Sequence, residues 1–151
     1  HYYLLQTSPA KDMLFDPKES LSFNGNTGPY LQYMGARISS MLRRAASDGK
    51  ADGGGTVRPE LLGGDAEWDL IKTIAAYSQA VADAAERMDP SVMAAYLYDL
   101  SRGFSRFYHD CPILNAEDPD LAASRLELCK AVLRVLRDAL HLIGTPFLEA
   151  M

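Results

Sequence analysis

Apolar residues recur at helical spacing in four separate stretches of the chain, with polar residues between them. The first stretch follows Thr27 and Pro29, which together are typical of a helix start. Threonine can cap the first turn, and proline needs no backbone N–H there. This helix is predicted over residues 29–46. Three further helices are predicted from Asp65 to about Met88, after Asp89 with Pro90, and after Asp118 with Pro119.

The third and fourth predicted helices carry the clearest apolar stripes. Met93, Leu97, Leu100, Phe104 and Phe107 share one face of the third helix. The stripe of the fourth helix consists of Leu126, Cys129, Val132, Leu133, Leu136, Leu140 and Ile143. No strand-like alternation of apolar and polar residues accompanies these helices. The pattern therefore predicts an all-α protein, a bundle of four or more helices.

Two segments lie outside this helical pattern. Residues 1–25 contain a short apolar start and a polar, proline-containing loop, and we expect them to connect the bundle, residues 26–151, to another domain. Residues 47–64 are polar and rich in glycine, which predicts a flexible insertion that is dispensable for the core. Gly144 and Pro146 end the last helix, so the residues after Gly144 should turn back across the bundle.

One face of the first helix carries residues with a possible binding chemistry. Tyr33, Arg37, Ser40 and Arg44 follow one another along this face, beside the apolar stripe. An aromatic ring next to a guanidinium offers an unstacked nucleotide a surface for stacking and a donor for its phosphate or base edge. The same spacing also fits a half-buried tyrosine beside a solvated arginine, so spacing alone does not decide between the two.

Charge and composition narrow the choice of function. The formal net charge is −5, but residues 1–50 carry six basic and four acidic groups, whereas residues 51–120 carry five and thirteen. A surface that contacts RNA should therefore come from the first and last helices. No apolar run is long enough for a membrane span. Cys111 and Cys129 have no Cys or His neighbours at zinc-ligand spacing, so we expect packed, reduced thiols and no metal site. His109, Asp110 and Cys111 are adjacent on a helix and cannot converge, so we expect no catalytic residues.

The amino-acid sequence around the first predicted helix resembles that of a known family. Residues 26–38 read N-T-G-P-Y-L-Q-Y-x-x-A-R-I, which resembles the first helix of the DALR anticodon-binding domain of arginyl-tRNA synthetases. Residues 8–16 resemble the S-P-x-x-x-x-x-F-D stretch that precedes this domain, and residues 96–108 resemble its Y-L-x-D-L-x-x-x-F-x-x-F-Y helix. Residues 125–151 are similar to its closing segment, although L-E-A-M stands where the family has P-E-R-M or P-E-K-M.

This resemblance implies a function in RNA binding. In the family, the helical domain packs against the anticodon stem and splays the bases of the loop. The resemblance therefore implies that Tyr33 and Arg37 stack on and hydrogen-bond to a base, with Tyr108 and Met151 as further contacts. Arg44 lies on the same face as Tyr33. On the last helix, Lys130, Arg134 and Arg137 would contact phosphates, although a plain solvated face fits them equally well.

The same resemblance implies partners beyond residues 1–151. The expected partners are the anticodon loop and stem of tRNA(Arg) and a catalytic domain on the same chain, with no DNA and no membrane. That domain would join arginine to its tRNA with ATP and Mg²⁺, in the cytoplasm, while residues 1–151 by themselves would have no activity and need no cofactor. Two alternatives stay open: a helical protein-interaction module, and the related domain of another class I synthetase.

Overall fold

The computed structural model describes residues 1–50 and 53–151, and every regular element within these ranges is helical. The prediction of an all-α bundle is confirmed. The elements are α1 (Tyr2–Leu5), α2 (Pro17–Ser20), α3 (Gly28–Ser47), a 3₁₀ turn (Pro59–Leu61), α4 (Asp65–Ala75), α5 (Tyr77–Arg87), α6 (Ser91–Asp110) and α7 (Pro119–Leu142). None of these helices is both long enough and apolar enough to cross a membrane.

Helix starts have the predicted N-cap residue in two of four cases, at Thr27 and at Asp118. The Thr27 hydroxyl oxygen accepts a hydrogen bond from the Tyr30 N–H at 3.2 Å, which caps α3. The Asp118 carboxylate accepts one from the Asp120 N–H at 2.8 Å at the start of α7. At α6 the N-cap is Pro90, and the carboxylate of Asp89, one residue earlier, accepts from the Ser91 N–H at 3.0 Å. These side chains satisfy backbone donors that a helix leaves without intrahelical partners.

The second predicted helix differs from the structure in two ways. Gly64, not Asp65, precedes the helix, and the Glu67 carboxylate accepts from the Gly64 N–H at 2.7 Å. The predicted single helix is also interrupted at Ala76, which separates α4 from α5. Tyr77 then packs its ring 5.6 Å from that of Tyr96. The apolar periodicity continues through Ala76, so the local pattern predicted one continuous helix.

The core surrounds α6, which contacts α1, α3, α4, α5 and α7. Phe104 and Phe107, predicted on the apolar stripe of α6, are fully buried. Leu31 and Ile38 of α3 and Leu136 of α7 pack into the same core. Burial of such side chains is the main favourable contribution to folding, at roughly 1.5 to 3 kcal/mol for each large one.

The glycine-rich segment is where the fold departs most from expectation. Ala51 and Asp52, in the predicted insertion, lie outside the described residues, but residues 53–61 pack against α7. The backbone N–H of Thr56 donates to the Asp120 carboxylate at 2.9 Å, and that of Arg58 donates to the Ser124 hydroxyl at 2.8 Å. A Cβ on Gly53 would lie 2.4 Å from the Cα of Ala123. The glycine therefore permits close packing. Whether this segment is dispensable for the core stays a prediction.

The first 25 residues make specific contacts with the bundle. Tyr2 is buried, and its hydroxyl donates to the Asn26 side chain at 2.6 Å or to the Ala94 carbonyl at 2.9 Å. Other apolar side chains of this segment are exposed: Leu4, Leu14, Phe15, Leu21 and Phe23. That residues 1–25 connect to a further domain stays a prediction.

Residues 145–151, named the tail below, turn back across the bundle as predicted. Gly144 adopts a left-handed conformation with φ +67°, and the Thr145 N–H donates to the Leu140 carbonyl at 2.9 Å. A glycine in this conformation is a common way for a helix to end. The tail then runs along α3, where the Gln32 side chain donates to the Pro146 carbonyl at 3.0 Å.

Candidate nucleic-acid interface

A groove between α3 and α6 brings together five of the eight predicted site residues. We name it the α3–α6 groove, and its volume is about 350 Å³. It is lined by Tyr33, Ala36, Arg37, Ser40, Met41, Arg44, Tyr108, Leu114 and Met151. Tyr33, Arg37 and Arg44 come from one face of α3, as their spacing predicted. Tyr108 and Met151, distant in sequence, join them only in the folded chain.

Arg37 is held in the groove by an aromatic side chain. Its guanidinium carbon lies 4.1 Å from the centre of the Tyr108 ring, within the range of a cation–π contact. The Tyr108 ring packs in turn 5.9 Å from the ring of Phe104, which is fully buried. Among the residues that the structure describes, Arg37 has no carboxylate partner. The guanidinium is thus oriented by stacking while its N–H donors stay available.

Tyr33 presents its ring to solvent at the same groove. The side chain is 43% exposed, and no described residue accepts or donates a hydrogen bond at its hydroxyl. Tyr108 is 36% and Met151 is 60% exposed. An accessible ring, an oriented cation and a flexible thioether therefore lie within one groove, which can receive a planar group with acceptor atoms at its edge.

A loop between α6 and α7 forms a further wall that the sequence did not predict. Leu114 lies in this loop, which continues the groove toward Lys50. Arg125 of α7 supports the loop because it donates to the Pro112 carbonyl at 2.7 Å. The same guanidinium pairs with the buried Glu67 carboxylate at 2.7 Å. The sequence did not predict this role of Arg125, because no local pattern reveals a partner such as Glu67, which lies 58 positions away.

Titratable groups beside this loop do not form a reactive centre. Burial raises the pKa of the Cys111 thiol, so the nucleophilic thiolate form is disfavoured. A hydrogen bond from the His109 side chain, and to a lesser extent the charge of Arg106, lowers the pKa of the Asp110 carboxyl. Among the described residues, no group of three or more His, Cys, Asp or Glu side chains could hold a metal ion.

The three other predicted site residues lie in a second, larger groove along α7. Lys130, Arg134 and Arg137 line it together with Tyr77, Leu133, Val135, Asp138, His141, Thr145, Pro146 and Phe147. We name it the α7 groove, and its volume is about 870 Å³. Lys130 pairs with Glu127 at 3.2 Å. Arg137 pairs with Glu149 at 2.7 Å and lies 4.6 Å from the centre of the Phe147 ring.

The tail joins the two grooves. Phe147 lines the α7 groove, and Met151 lines the α3–α6 groove. Four residues of extended chain span at most about 14 Å, so the two sites lie close together on the surface. The predicted site residues thus form two neighbouring basic grooves with aromatic walls.

Comparison with known proteins gives matches over most or all of the chain. The sequence profile of the family described as "DALR anticodon binding domain" matches residues 31–151. The chain is similar to the arginine–tRNA ligase of Treponema pallidum, with 59% identity over all of this chain and 26% of the relative. It is 56% identical to that of Treponema denticola over the same shares. The chain therefore spans about a quarter of the length of these curated relatives.

Solved structures match over nearly the whole chain as well. The arginyl-tRNA synthetase of Thermus thermophilus superposes with a TM-score of 0.85 at 34% identity, over 99% of this chain and 25% of that one. The arginyl-tRNA synthetase of Plasmodium falciparum superposes with a TM-score of 0.81 at 25% identity, over 99% of this chain and 26% of that one.

Proposed function

Because the chain belongs to the DALR anticodon-binding domain family, we propose that it binds the anticodon loop and stem of tRNA(Arg) as part of an arginyl-tRNA synthetase. The observation that carries the proposal is the α3–α6 groove, where Tyr33, Arg37 and Tyr108 converge. Single-stranded loops expose the faces and edges of their bases, and proteins recognise them with aromatic rings and guanidinium groups. Both groups are present in this groove and accessible.

Each side chain in the groove has a distinct role in this proposal. The exposed ring of Tyr33 stacks on one base of the loop, since every base has a face for stacking. Arg37 donates to a base edge or to a phosphate, and its stack on Tyr108 fixes the direction of its donors. Arg44 contributes positive charge, although it also contacts Asp48 at 3.8 Å. Met151 packs against the edge of the bound base.

The α7 groove supplies contacts that position the RNA without reading its sequence. Lys130, Arg134 and Arg137 face the phosphates of the stem in this proposal. The short distance that the tail imposes between the grooves supports contact of one RNA with both. Contacts to phosphate neutralise charge and release counterions, so they make binding depend on salt concentration.

The reaction itself takes place outside residues 1–151. In the full-length protein, a catalytic domain would use ATP and Mg²⁺ to join arginine to the tRNA that this domain holds. The exposed apolar side chains of Leu14, Phe15, Leu21 and Phe23 support a contact between residues 1–25 and that domain. Two free, buried cysteines fit a reducing compartment, which supports the cytoplasm as the place of action.

Substitution of Tyr33 in the full-length synthetase tests the proposal. We expect Tyr33→Ala to lower kcat/KM for tRNA(Arg) about 5- to 150-fold, which corresponds to the 1 to 3 kcal/mol of one stacked base. Tyr33→Phe is the matched control, and it should retain most of the activity because it keeps the ring. The KM values for ATP and arginine should not change. If Tyr33→Ala charges tRNA as well as the parent enzyme, the groove does not bind the anticodon loop and a protein partner becomes the better candidate.

A further inference from the structure

Gly35 lies in the middle of α3, between Tyr33 and Arg37, at the point where the tail crosses this helix. A Cβ at Gly35 would lie 2.6 Å from Cε2 and 3.2 Å from Cζ of Phe147. The phenyl ring therefore rests directly against the backbone of α3. Glycine within a helix is less stable than alanine, and Gly35 has no positive φ that would require a glycine. The close approach of Phe147 is thus the structural reason for this residue.

The Phe147 ring also contacts a cation of α7, and the tail is held at Glu149. The Arg137 guanidinium lies 4.6 Å from the centre of the Phe147 ring and donates to the Glu149 carboxylate at 2.7 Å. Arg43 of α3 donates from both terminal nitrogens to the backbone carbonyl of Glu149 at 3.1 Å. Arg137 therefore contacts both Phe147 and Glu149, and Arg43 adds a second contact to Glu149.

From these contacts we propose that Gly35 is a positioning residue that seats the tail, so that Met151 forms one end of the α3–α6 groove. The missing Cβ admits Phe147, which carries residues 148–150 over α3 and leaves Met151 beside Tyr33 and Arg37. A side chain at position 35 displaces the ring and moves Met151 out of the groove. The consequence for tRNA binding rests on the proposed function, whereas the position of Met151 does not.

Two glycine substitutions in the full-length protein test this role. Gly35→Ala adds a methyl group against Phe147. Gly103→Ala is the matched control, because a Cβ at this second helical glycine would meet only Leu70 Cδ1 at 3.6 Å, an ordinary contact. The probe is the NMR signal of the Met151 methyl group in protein labelled with [methyl-¹³C]methionine, assigned by its loss in Met151→Leu. We expect the signal to move toward the position of free methionine in Gly35→Ala and to stay in place in Gly103→Ala.

The same two variants also report on tRNA binding. Gly35→Ala should bind tRNA(Arg) about tenfold more weakly, the low end of the loss of one stacked base, and Gly103→Ala should bind as the parent does. In a Phe147→Ala background, where the ring is absent, Gly35→Ala should have no further effect on either measurement. This non-additivity separates positioning through Phe147 from a general loss of stability.

The outcomes separate the two proposals. An unchanged Met151 signal in Gly35→Ala would overturn the positioning role, whatever the tRNA measurement shows. If Gly35→Ala fails to fold, Phe147→Ala removes the ring that the missing Cβ at Gly35 admits, and the same shift of the Met151 signal is expected. A normal Met151 signal in Phe147→Ala would then overturn the proposal. Failure of the proposed function shows separately, as full tRNA charging by Tyr33→Ala.

Discussion

The α3–α6 groove and the α7 groove carry similar side chains but differ in how their cations are compensated. Each groove combines aromatic rings with several basic residues. Arg37 in the first has an aromatic neighbour and, within the described part of the chain, no carboxylate partner. In the second, Lys130 and Arg137 are paired with Glu127 and Glu149. The number of basic residues thus overstates the positive charge that the α7 groove offers to RNA.

This difference in ion pairing affects how strongly each groove would bind RNA. An arginine that is oriented by stacking and has no carboxylate partner can bind a ligand without first breaking an ion pair. A paired cation must exchange its carboxylate for a phosphate, so the net gain is smaller. We therefore expect the α3–α6 groove to contribute most of the affinity and specificity, and the α7 groove to contribute mainly weak positioning contacts.

Removal of Arg125, which supports one wall of the α3–α6 groove, should have the largest effect. Arg125→Ala removes the donor to Pro112 and leaves the Glu67 carboxylate buried without its partner. We expect the free energy of unfolding to fall by about 3 to 5 kcal/mol, the usual cost of an uncompensated buried charge. Urea unfolding measures this change. Arg58→Ala, which breaks only solvent-accessible ion pairs with Glu60 and Asp120, should lower the free energy of unfolding far less. Equal losses in the two variants would contradict this account.

Substitution of Arg37 is expected to give the largest effect on tRNA binding. Arg37→Ala should weaken binding by about 1.5 to 3 kcal/mol, the range of a hydrogen bond to a charged group. Arg37→Lys keeps the charge but loses the planar donors and the stack on Tyr108, so it should recover the salt dependence and little of the affinity. Equilibrium binding at several salt concentrations measures both quantities. Full recovery in Arg37→Lys would show that the guanidinium acts only through its charge.

Lys130 provides the matched test in the α7 groove. Because Lys130 is partly exposed and already paired with Glu127, Lys130→Ala should weaken tRNA binding by less than about 1 kcal/mol. The same binding titration compares it directly with Arg37→Ala. A loss as large as that of Arg37→Ala would mean that ion pairing within the protein does not weaken the α7 groove.

Removal of a counter-charge from the α7 groove should have the smallest effect on tRNA binding. Glu149→Gln keeps a hydrogen-bond acceptor for Arg137 but removes one negative charge from the rim of the α7 groove. We expect tRNA binding to tighten by up to about 0.5 kcal/mol at low salt, and the gain to vanish at high salt because exposed charges are screened. Weaker binding at low salt would show that the Glu149 carboxylate has another role.

The sequence was sufficient to predict the helices and part of the candidate site. Apolar periodicity, with Thr27, Asp89 and Asp118 as predicted caps, indicated the helical class and three of the four long segments because these signals act within one or two turns. The spacing of Tyr33 and Arg37 on α3 placed both on one face for the same reason. The resemblance to the DALR family added Tyr108 and Met151, which helical spacing alone could not connect to Tyr33.

The tertiary structure alone decided the contacts between distant segments. The glycine-rich composition of residues 53–64 suggested flexibility, yet Gly53 serves close packing on α7, because the absence of a side chain permits both. The pairing of Arg125 with Glu67 and of Arg137 with Glu149 could not be read from a pattern either. Local propensity depends on neighbours along the chain, whereas the partner of a charge depends on which helices pack together. The sequence pattern therefore predicted three of the four long helical segments and their faces, and the packing of those faces determined which cations stay free to bind.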